Sequence, residues 1–460
     1  MAKMVLYNMD VLKALEKIPS ESIDCIITSP PYFSLRNYGE DTNAIWDECY
    51  LDGEKKVIAC SAVMDKGEHE WNESNFCNKC LAWKGQLGLE PTMELYISHL
   101  MEITAELKRV LKPTGTLWWN MNDSYASGGG KAVENAFNRA SGKETGQPDN
   151  PAKATLRATL GKSQLLIPEQ FAIKMVYEGG WLRRNNIIWH KEASMPTSST
   201  DRFANAFEPT YFFVKDKKYY FNLDAVRIKR RYPSIRMKQL CTEIYLKAKK
   251  MRNQSKLLSY NGKVKLENEE VANNPELQKT KSNASSLQAF LVAIRTITKE
   301  VMEEHPELTE ADRKYLNAFK QAGGGNPEGT TPTDIWAINT ESMGENHTAA
   351  FPQELPRRCM KAGAAMEVCV QCGKPKLPFM NEESISAKFK PTCECNAGFK
   401  AGVVLDPFGG SGTTMKVAME MGYDCITIEI SKKYVGIIER RCKLIEKKQL
   451  NQVDYDLISG

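Results

Sequence analysis

Apolar positions along the chain fall into short continuous runs separated by stretches of helical period, an alternation that predicts an α/β sheet. An amphipathic stretch from Asp10 to Ile18 leads through a turn at Pro19 to Ser22 into Ile23-Asp24-Cys25-Ile26-Ile27. That run is short enough for a buried parallel strand, and it ends in Thr28-Ser29-Pro30-Pro31-Tyr32. From Pro91 to Leu111 apolar residues recur at helical spacing (Leu95, Leu100, Ile103, Leu107), and Lys112-Pro113-Thr114-Gly115 reads as a turn before the strand Thr116 to Asn120. A helix over Ile167 to Glu178 and strands over Trp181 to His190 and Pro209 to Val214 continue the alternation. Near the end of the chain, Ala401 to Thr414 runs from strand through a Gly-rich turn into helix, and a strand over Asp424 to Ile430 closes a βαβ unit. Three segments break the pattern. Gly39 to Gly88 is polar and weakly periodic, Ser127 to Thr155 is Gly-, Asn- and Ser-rich, and Leu266 to Gln321 is charged helical sequence broken by Gly323-Gly324-Gly325-Asn326-Pro327.

The 460 residues, 42% hydrophobic and 26% charged, allow one elaborated core with insertions or two to three domains. No run approaches the length of a membrane span, and the first residues lack the basic and apolar regions of a signal peptide. A cytoplasmic protein without a membrane partner is therefore expected. A net charge of +5 is too mild to announce a nucleic-acid binder, but its distribution changes the picture. Residues 224–265 hold 13 Lys and Arg against Asp224 and Glu243, with Tyr232, Tyr245 and Tyr260 interleaved. Arg227, Lys229, Arg230, Arg231, Lys249, Lys250 and Arg252 are candidate phosphate contacts with tyrosines able to stack on bases, the alternative being a solvated helical face.

Two motifs carry chemistry. The turn Asp406-Pro407-Phe408-Gly409-Gly410-Ser411-Gly412-Thr413 lets backbone N–H groups approach a ligand closely. Glu429, at the end of the following strand, is placed to accept from both ribose hydroxyls of a nucleoside cofactor. The absence of Gly-Lys-Ser/Thr disfavours a phosphate loop. The second motif, Ser29-Pro30-Pro31-Tyr32, lies past the carboxyl end of a strand, where open α/β sheets bind ligands. Its stiff backbone can aim a carbonyl and a short acceptor side chain at one amino group, while Tyr32 offers a ring for stacking.

Together these motifs resemble the β group of DNA amino-methyltransferases, which methylate cytosine N4 or adenine N6 with S-adenosylmethionine. Further matches, Asn8-Met9-Asp10, Leu111 to Leu117, Asn120 to Tyr125 and His347 to Pro352, extend the resemblance over most of the chain apart from Leu266 to Gln321. The resemblance implies a Rossmann-like methyltransferase mixed sheet with helices on both faces, plus recognition and zinc-type insertions. It implies that Asp10 accepts from the cofactor adenine, that Glu429 holds the ribose, and that Asp406, Phe408, Gly410, Ser411, Gly412 and Thr413 form the cofactor turn. His347 and Phe351 would border the methionine end. Ser29 and the Pro30 carbonyl would accept from the amine of an extruded base, with Pro31 stiffening the turn and Tyr32 stacking on the ring. The core would comprise 1–38, 91–222 and 331–460, with insertions at 39–90 and 366–398 and target recognition at 223–330. The implied partners are double-stranded DNA and a cognate restriction endonuclease, in a bacterial or phage-infected cell.

Ser before Pro-Pro-Tyr is commoner among the cytosine-N4 enzymes, so cytosine is favoured over adenine. Trp118 or Trp119, if facing the site, would favour the smaller pyrimidine, whereas buried strand positions would leave them silent. The rival classes are a non-catalytic zinc-bearing DNA-binding protein and a methyltransferase of protein glutamine, the latter usually carrying Asn before the prolines. With no signal peptide, the 13 cysteines read as reduced thiols. Cys369, Cys372, Cys393 and Cys395 have roughly the spacing of a structural zinc site, and Cys60, His69, Cys77 and Cys80 form a looser second candidate, with Cys49 an alternative ligand.

Overall fold

The computed structural model describes residues 2–46, 71–78, 82–126, 160–193, 197, 199–260, 286–341, 351–379, 388–449 and 453–459. They divide into a larger unit of residues 1–221, 334–376 and 392–460 and a smaller one of 222–333 and 377–391. The nine main strands, all in the larger unit, are β1 (Ala2–Asn8), β2 (Ile23–Thr28), β3 (Leu111–Asn120), β4 (Leu182–His190), β5 (Phe207–Val214), β6 (Ile335–Ala337), β7 (Val403–Asp406), β8 (Asp424–Ile428) and β9 (Val453–Ser459). They join one sheet in the order β9-β1-β8-β7-β2-β3-β5-β4-β6. Only the pairings of β5 are antiparallel, so this is a mixed sheet with one reversed strand.

The main helices are α1 (Val11–Glu16), α2 (Met93–Val110) and α3 (Ile167–Tyr177) in the larger unit; α4 (Ile235–Tyr260), α5 (Ser286–Glu304) and α6 (Glu310–Gln321) in the smaller; and α7 (Glu354–Gly363), α8 (Thr413–Met421) and α9 (Lys432–Cys442) in the larger again, with short helices at Leu223–Val226 and Leu444–Gln449 besides. Adjacent residues of a strand point to opposite faces, and the tryptophan pair of β3 shows what covers each face. Trp119 stacks on Phe171 of α3, whereas Trp118 stacks on Phe212 and lies beside Gly363 of α7, where a Cβ would come within 2.7 Å of its ring nitrogen. Helices thus cover both faces, and β2, with all six residues buried, reads as the continuous apolar run that such a central strand requires. In the smaller unit, α4, α5 and α6 close a core of their own around Leu240, Ile244, Ile294, Val301, Leu316 and Phe319. Among the described residues no helix is long and apolar enough to cross a membrane.

Two features depart from the sequence reading. Strands β1 and β9 were not anticipated, yet β1 lies between β8 and β9. The expected turn at Lys112 to Gly115 is instead a bulge inside β3: the register passes from Ile23 opposite Leu111 to Cys25 opposite Thr116. A buried ion pair explains the bulge. Lys112 Nζ lies 2.8 Å from both carboxylate oxygens of Asp24, and Asp24 also accepts from the Val403 backbone N–H at 2.9 Å. Burial pushes the Asp24 carboxyl up from its ordinary range, against the pull of the ammonium.

Removing one partner of a buried pair leaves the other charge uncompensated, so Lys112→Met should cost about 3–5 kcal/mol of unfolding free energy. Chemical denaturation measures this loss, and Asp24→Asn in the same chain should return much of it. An unchanged midpoint for Lys112→Met would show that the pair does not hold the bulge.

Candidate active site

Because β2 and β7 are parallel neighbours, both motifs leave the sheet at one edge. Thr28, the last residue of β2, donates through Oγ1 to Asp406 Oδ1 at 2.8 Å. Strand β8 ends beside β7 and brings in Glu429, while the cap of α1 brings in Asp10. These elements enclose a cavity of about 370 Å³. Of the residues read as a site, Asp10, Ser29, Pro30, Pro31, Tyr32, Phe351, Asp406, Phe408, Gly410, Ser411, Thr413 and Glu429 all line it. Gly412 is not among the lining residues: it starts α8 in a left-handed conformation (φ 76°) and packs on Ile438, where a Cβ would meet a side chain at 3.0 Å. His347 lies outside the described residues.

On the cofactor side, Glu429 is stapled into the turn. Its Oε2 accepts from the Gly410 N–H at 2.7 Å and its Oε1 from the Ser431 N–H at 2.9 Å. Burial pushes the Glu429 carboxyl up to about 7 and the Asp406 carboxyl up to about 6. Asp406 Oδ1 also accepts from the Phe408 N–H, so this acid shapes the turn from within. Gly409 lies flat on β8, where a Cβ would come within 2.3 Å of Thr427 Cγ2. Arg441 of α9, which the sequence reading missed, donates to the Ser411 carbonyl, Ser411 Oγ and Thr413 Oγ1 and so holds both hydroxyls. Asp10 caps α1 by accepting from Leu12 and Lys13, both through Oδ1. Two carboxyl groups beside aromatic rings of Phe351, Phe408 and Tyr434 suit a ligand with hydroxyl and amine donors on a flat base, the chemistry of a nucleoside cofactor.

On the acceptor side, the Ser29 to Tyr32 turn is buttressed by residues that no motif announced. Tyr96 of α2 donates to the Pro31 carbonyl at 2.7 Å, and Gly88, in a left-handed conformation (φ 92°), approaches so closely that a Cβ would meet the Tyr32 carbonyl oxygen at 3.0 Å. Gly88 is in turn held by Glu90, which accepts from its N–H at 2.7 Å while its other oxygen lies 3.0 Å from His99 Nδ1. Ser29 Oγ donates to Tyr32 Oη at 2.9 Å, and that hydroxyl lies 3.0 Å from Asn120 Oδ1 and 2.9 Å from Glu208 Oε2. Burial and the nearby Glu208 hold the Tyr32 phenol well above its ordinary range, so it stays protonated. Neither Trp118 nor Trp119 is among the cavity-lining residues; both are buried strand positions and are silent on the base.

Cys369, Cys372, Cys393 and Cys395 come together with all four sulfurs within 4.8 Å of one another. A tetrahedral zinc with bonds of about 2.3 Å needs sulfurs about 3.8 Å apart, so the group fits. Backbone N–H groups of Cys372 and Gln371 draw the Cys369 thiol down to about 7, and Gly373 supplies the left-handed turn (φ 69°) that follows. Of the second candidate, Cys77 is buried beside Ala82 and Trp71, and Cys49, Cys60, His69 and Cys80 lie outside the described residues.

The basic block lies in the smaller unit and is less bare than its sequence implies. Arg227 pairs with Asp224, Lys229 and Lys238 with Glu328, and Arg236 with Glu307. Arg230 lies over the Phe319 ring and Arg252 over Phe290, and Lys249 is buried. Arg231 and Lys250 are exposed.

The cavity thus sets the Asp406 to Thr413 turn and Glu429 against the Ser29 to Tyr32 turn. Comparison with known proteins names the family. The profile of the N6_N4_Mtase family, described as DNA methylase, matches residues 23–440, and the chain belongs to that family. It is 25% identical over 94% of its length to 89% of type II methyltransferase M.SfiI of Streptomyces fimbriatus. It is 32% identical over 48% of its length to 58% of M.Cfr9I of Citrobacter freundii, and 22% identical over 94% of its length to 88% of M.SmaI of Serratia marcescens. The protein is an S-adenosylmethionine-dependent DNA amino-methyltransferase. When bound, the cofactor supplies a methyl group on a sulfonium. Asp10, Phe351, Phe408, Gly410 and Glu429 are the residues that would hold it.

The raised Glu429 pKa has a defined sign. Between its ordinary 4.5 and about 7, the folded cofactor-free protein keeps a proton that the unfolded chain has released, so the stability this group contributes falls as pH rises through that window. A ligand whose hydroxyls donate to Glu429 favours the ionised form. S-adenosylmethionine binding near pH 6 should therefore release a proton, read by calorimetry in buffers of different ionisation heat, and Glu429→Gln should abolish the release. Buffer-independent heats in the parent would remove Glu429 from the ribose site.

Proposed function

We propose that this enzyme methylates cytosine N4 in duplex DNA, as the modification half of a type II restriction–modification pair. The observation that carries the reading is Ser29, a neutral acceptor whose proton is committed to Tyr32, at the position that takes the target amine. An amine conjugated into its ring is a poor nucleophile. Two acceptors aimed at its hydrogens, Ser29 Oγ and the Pro30 carbonyl, favour the pyramidal geometry that turns the nitrogen lone pair towards the methyl group. The Ser-Pro-Pro-Tyr form supports cytosine through the motif preference, and the type II names of the relatives support the pairing with an endonuclease of the same site.

The smaller unit reads as the recognition element, with Arg231 and Lys250 its exposed phosphate contacts and Arg227, Lys229, Arg230, Lys249 and Arg252 shaping the surface that carries them. The four-cysteine group reads as a structural zinc site, because four protein ligands leave no open coordination position for catalysis.

Nucleoside mass spectrometry of DNA methylated with labelled cofactor should give N4-methylcytosine, whereas N6-methyladenine as sole product would overturn the base assignment alone. Elemental analysis should find about one zinc per chain at the four-cysteine site in protein prepared without chelators. Cys369→Ser with Cys372→Ser should remove that metal and lower the melting temperature while S-adenosylmethionine affinity persists. Metal-free parent protein would end the zinc reading.

A further inference from the structure

Methylating an amine leaves a proton to be removed, and the sheet edge holds an acid that no motif pointed to. Glu208 stands at the start of β5, opposite Trp189 of β4. Because β5 alone is reversed, its first residues lie at the edge where β2 and β3 end. The Glu208 side chain is buried, with Oε2 2.9 Å from Tyr32 Oη and Oε1 paired with the Lys191 ammonium. Ser29, Tyr32, Glu208 and Lys191 all line the cavity. The single phenolic proton of Tyr32 has a second acceptor in Asn120 Oδ1, but a carboxylate is the stronger of the two.

We propose that Ser29, Tyr32 and Glu208 form a proton relay, with Lys191 anchoring its acidic end. At rest the chain is directed: the Ser29 proton points to Tyr32 and the Tyr32 proton to Glu208, which leaves the lone pairs of Ser29 Oγ for an amine N–H. As the nitrogen lone pair forms the new N–C bond, the methyl's bond to sulfur breaks and its electron pair stays on sulfur. The nitrogen then carries a positive charge. One of its protons passes to Ser29 Oγ, the Ser29 proton to Tyr32 Oη, and the Tyr32 proton to Glu208 Oε2. A neutral methylated amine, two neutral hydroxyls and one carboxylic acid result, and the acid returns its proton to solvent when the product leaves. Glu208 does not touch the base in this scheme and is a positioning and proton-accepting residue acting through Tyr32. The relay rests on amine methylation as read above, and it serves cytosine N4 and adenine N6 alike.

Single-turnover rates with excess enzyme, labelled S-adenosylmethionine and unmethylated phage λ DNA test the relay. Glu208→Gln should slow methyl transfer about a hundredfold, the size of a lost acid–base contribution, with dissociation constants for cofactor and DNA within about twofold of the parent. Glu208→Asp should recover part of the rate, and Tyr32→Phe, which keeps the ring, should match Glu208→Gln. Groups acting as one unit are not additive, so the double variant should be no slower than the worse single one. Should Glu208→Gln fail to fold, Tyr32→Phe compared with Glu208→Asp makes the same comparison. A Glu208→Gln rate within about threefold of the parent, losses that multiply, or a slowing matched by weaker binding would overturn the relay. A parent that methylates no DNA would overturn the functional reading and the relay together.

Discussion

The hydrogen bond from Thr28 Oγ1 to Asp406 Oδ1 joins residues 378 positions apart, and the geometry of the whole edge is set from it. It exists only because β7 pairs with β2, so that each strand ends where the other does. One residue beyond Thr28 stands Ser29, which lines the cavity. Two residues beyond Asp406, the Phe408 N–H returns to the same carboxylate oxygen and starts the Gly-rich turn. A buried carboxyl group with two donors on one oxygen is a stiff reference point, because leaving either donor unsatisfied would cost more than a surface bond is worth. The spacing of the two motifs therefore depends on strand pairing rather than on loop conformation.

Around that reference point, binding and support fall to different residues. Ser411 and Thr413 look like ligand-binding hydroxyls in a Gly-rich turn, yet Arg441 occupies both. Gly412 serves the helix start and its packing on Ile438. On the acceptor side, Tyr96, Gly88 and the Glu90 and His99 pair fix the Pro-Pro-Tyr turn from beneath. Rigid support of this kind holds a turn's polar groups in place before any ligand arrives, which is the condition that preorganised electrostatics requires.

Both chemical motifs and the central strands were legible in the sequence because their signals are local: an apolar run, a turn, a Gly-rich string. What escaped notice depends on distant residues. The Lys112 to Gly115 bulge reads as a turn until Asp24 is known to receive Lys112. Strand β9 lies in a polar tail whose pairing with β1 links opposite ends of the chain. Glu208 is an acid opening an apolar strand, and its place in the site follows from the reversal of β5, which no periodicity reveals. The pairing of the basic block was hidden for the same reason, since Glu304, Glu307 and Glu328, which pair with it, lie far along the chain.

The same long pairing has a consequence in time. At a synthesis rate of roughly 5–20 residues per second, Asp406 follows Thr28 off the ribosome by about 20–80 s. Once β3 has been made, β2 can pair with it on one side, while its other edge still lacks β7. A nascent chain in this condition carries the Ser29 to Tyr32 turn without the Asp406 to Thr413 turn that shares its cavity. The cavity is therefore complete only once synthesis has passed Glu429 and Tyr434, which line it together with the Ser29 to Tyr32 turn.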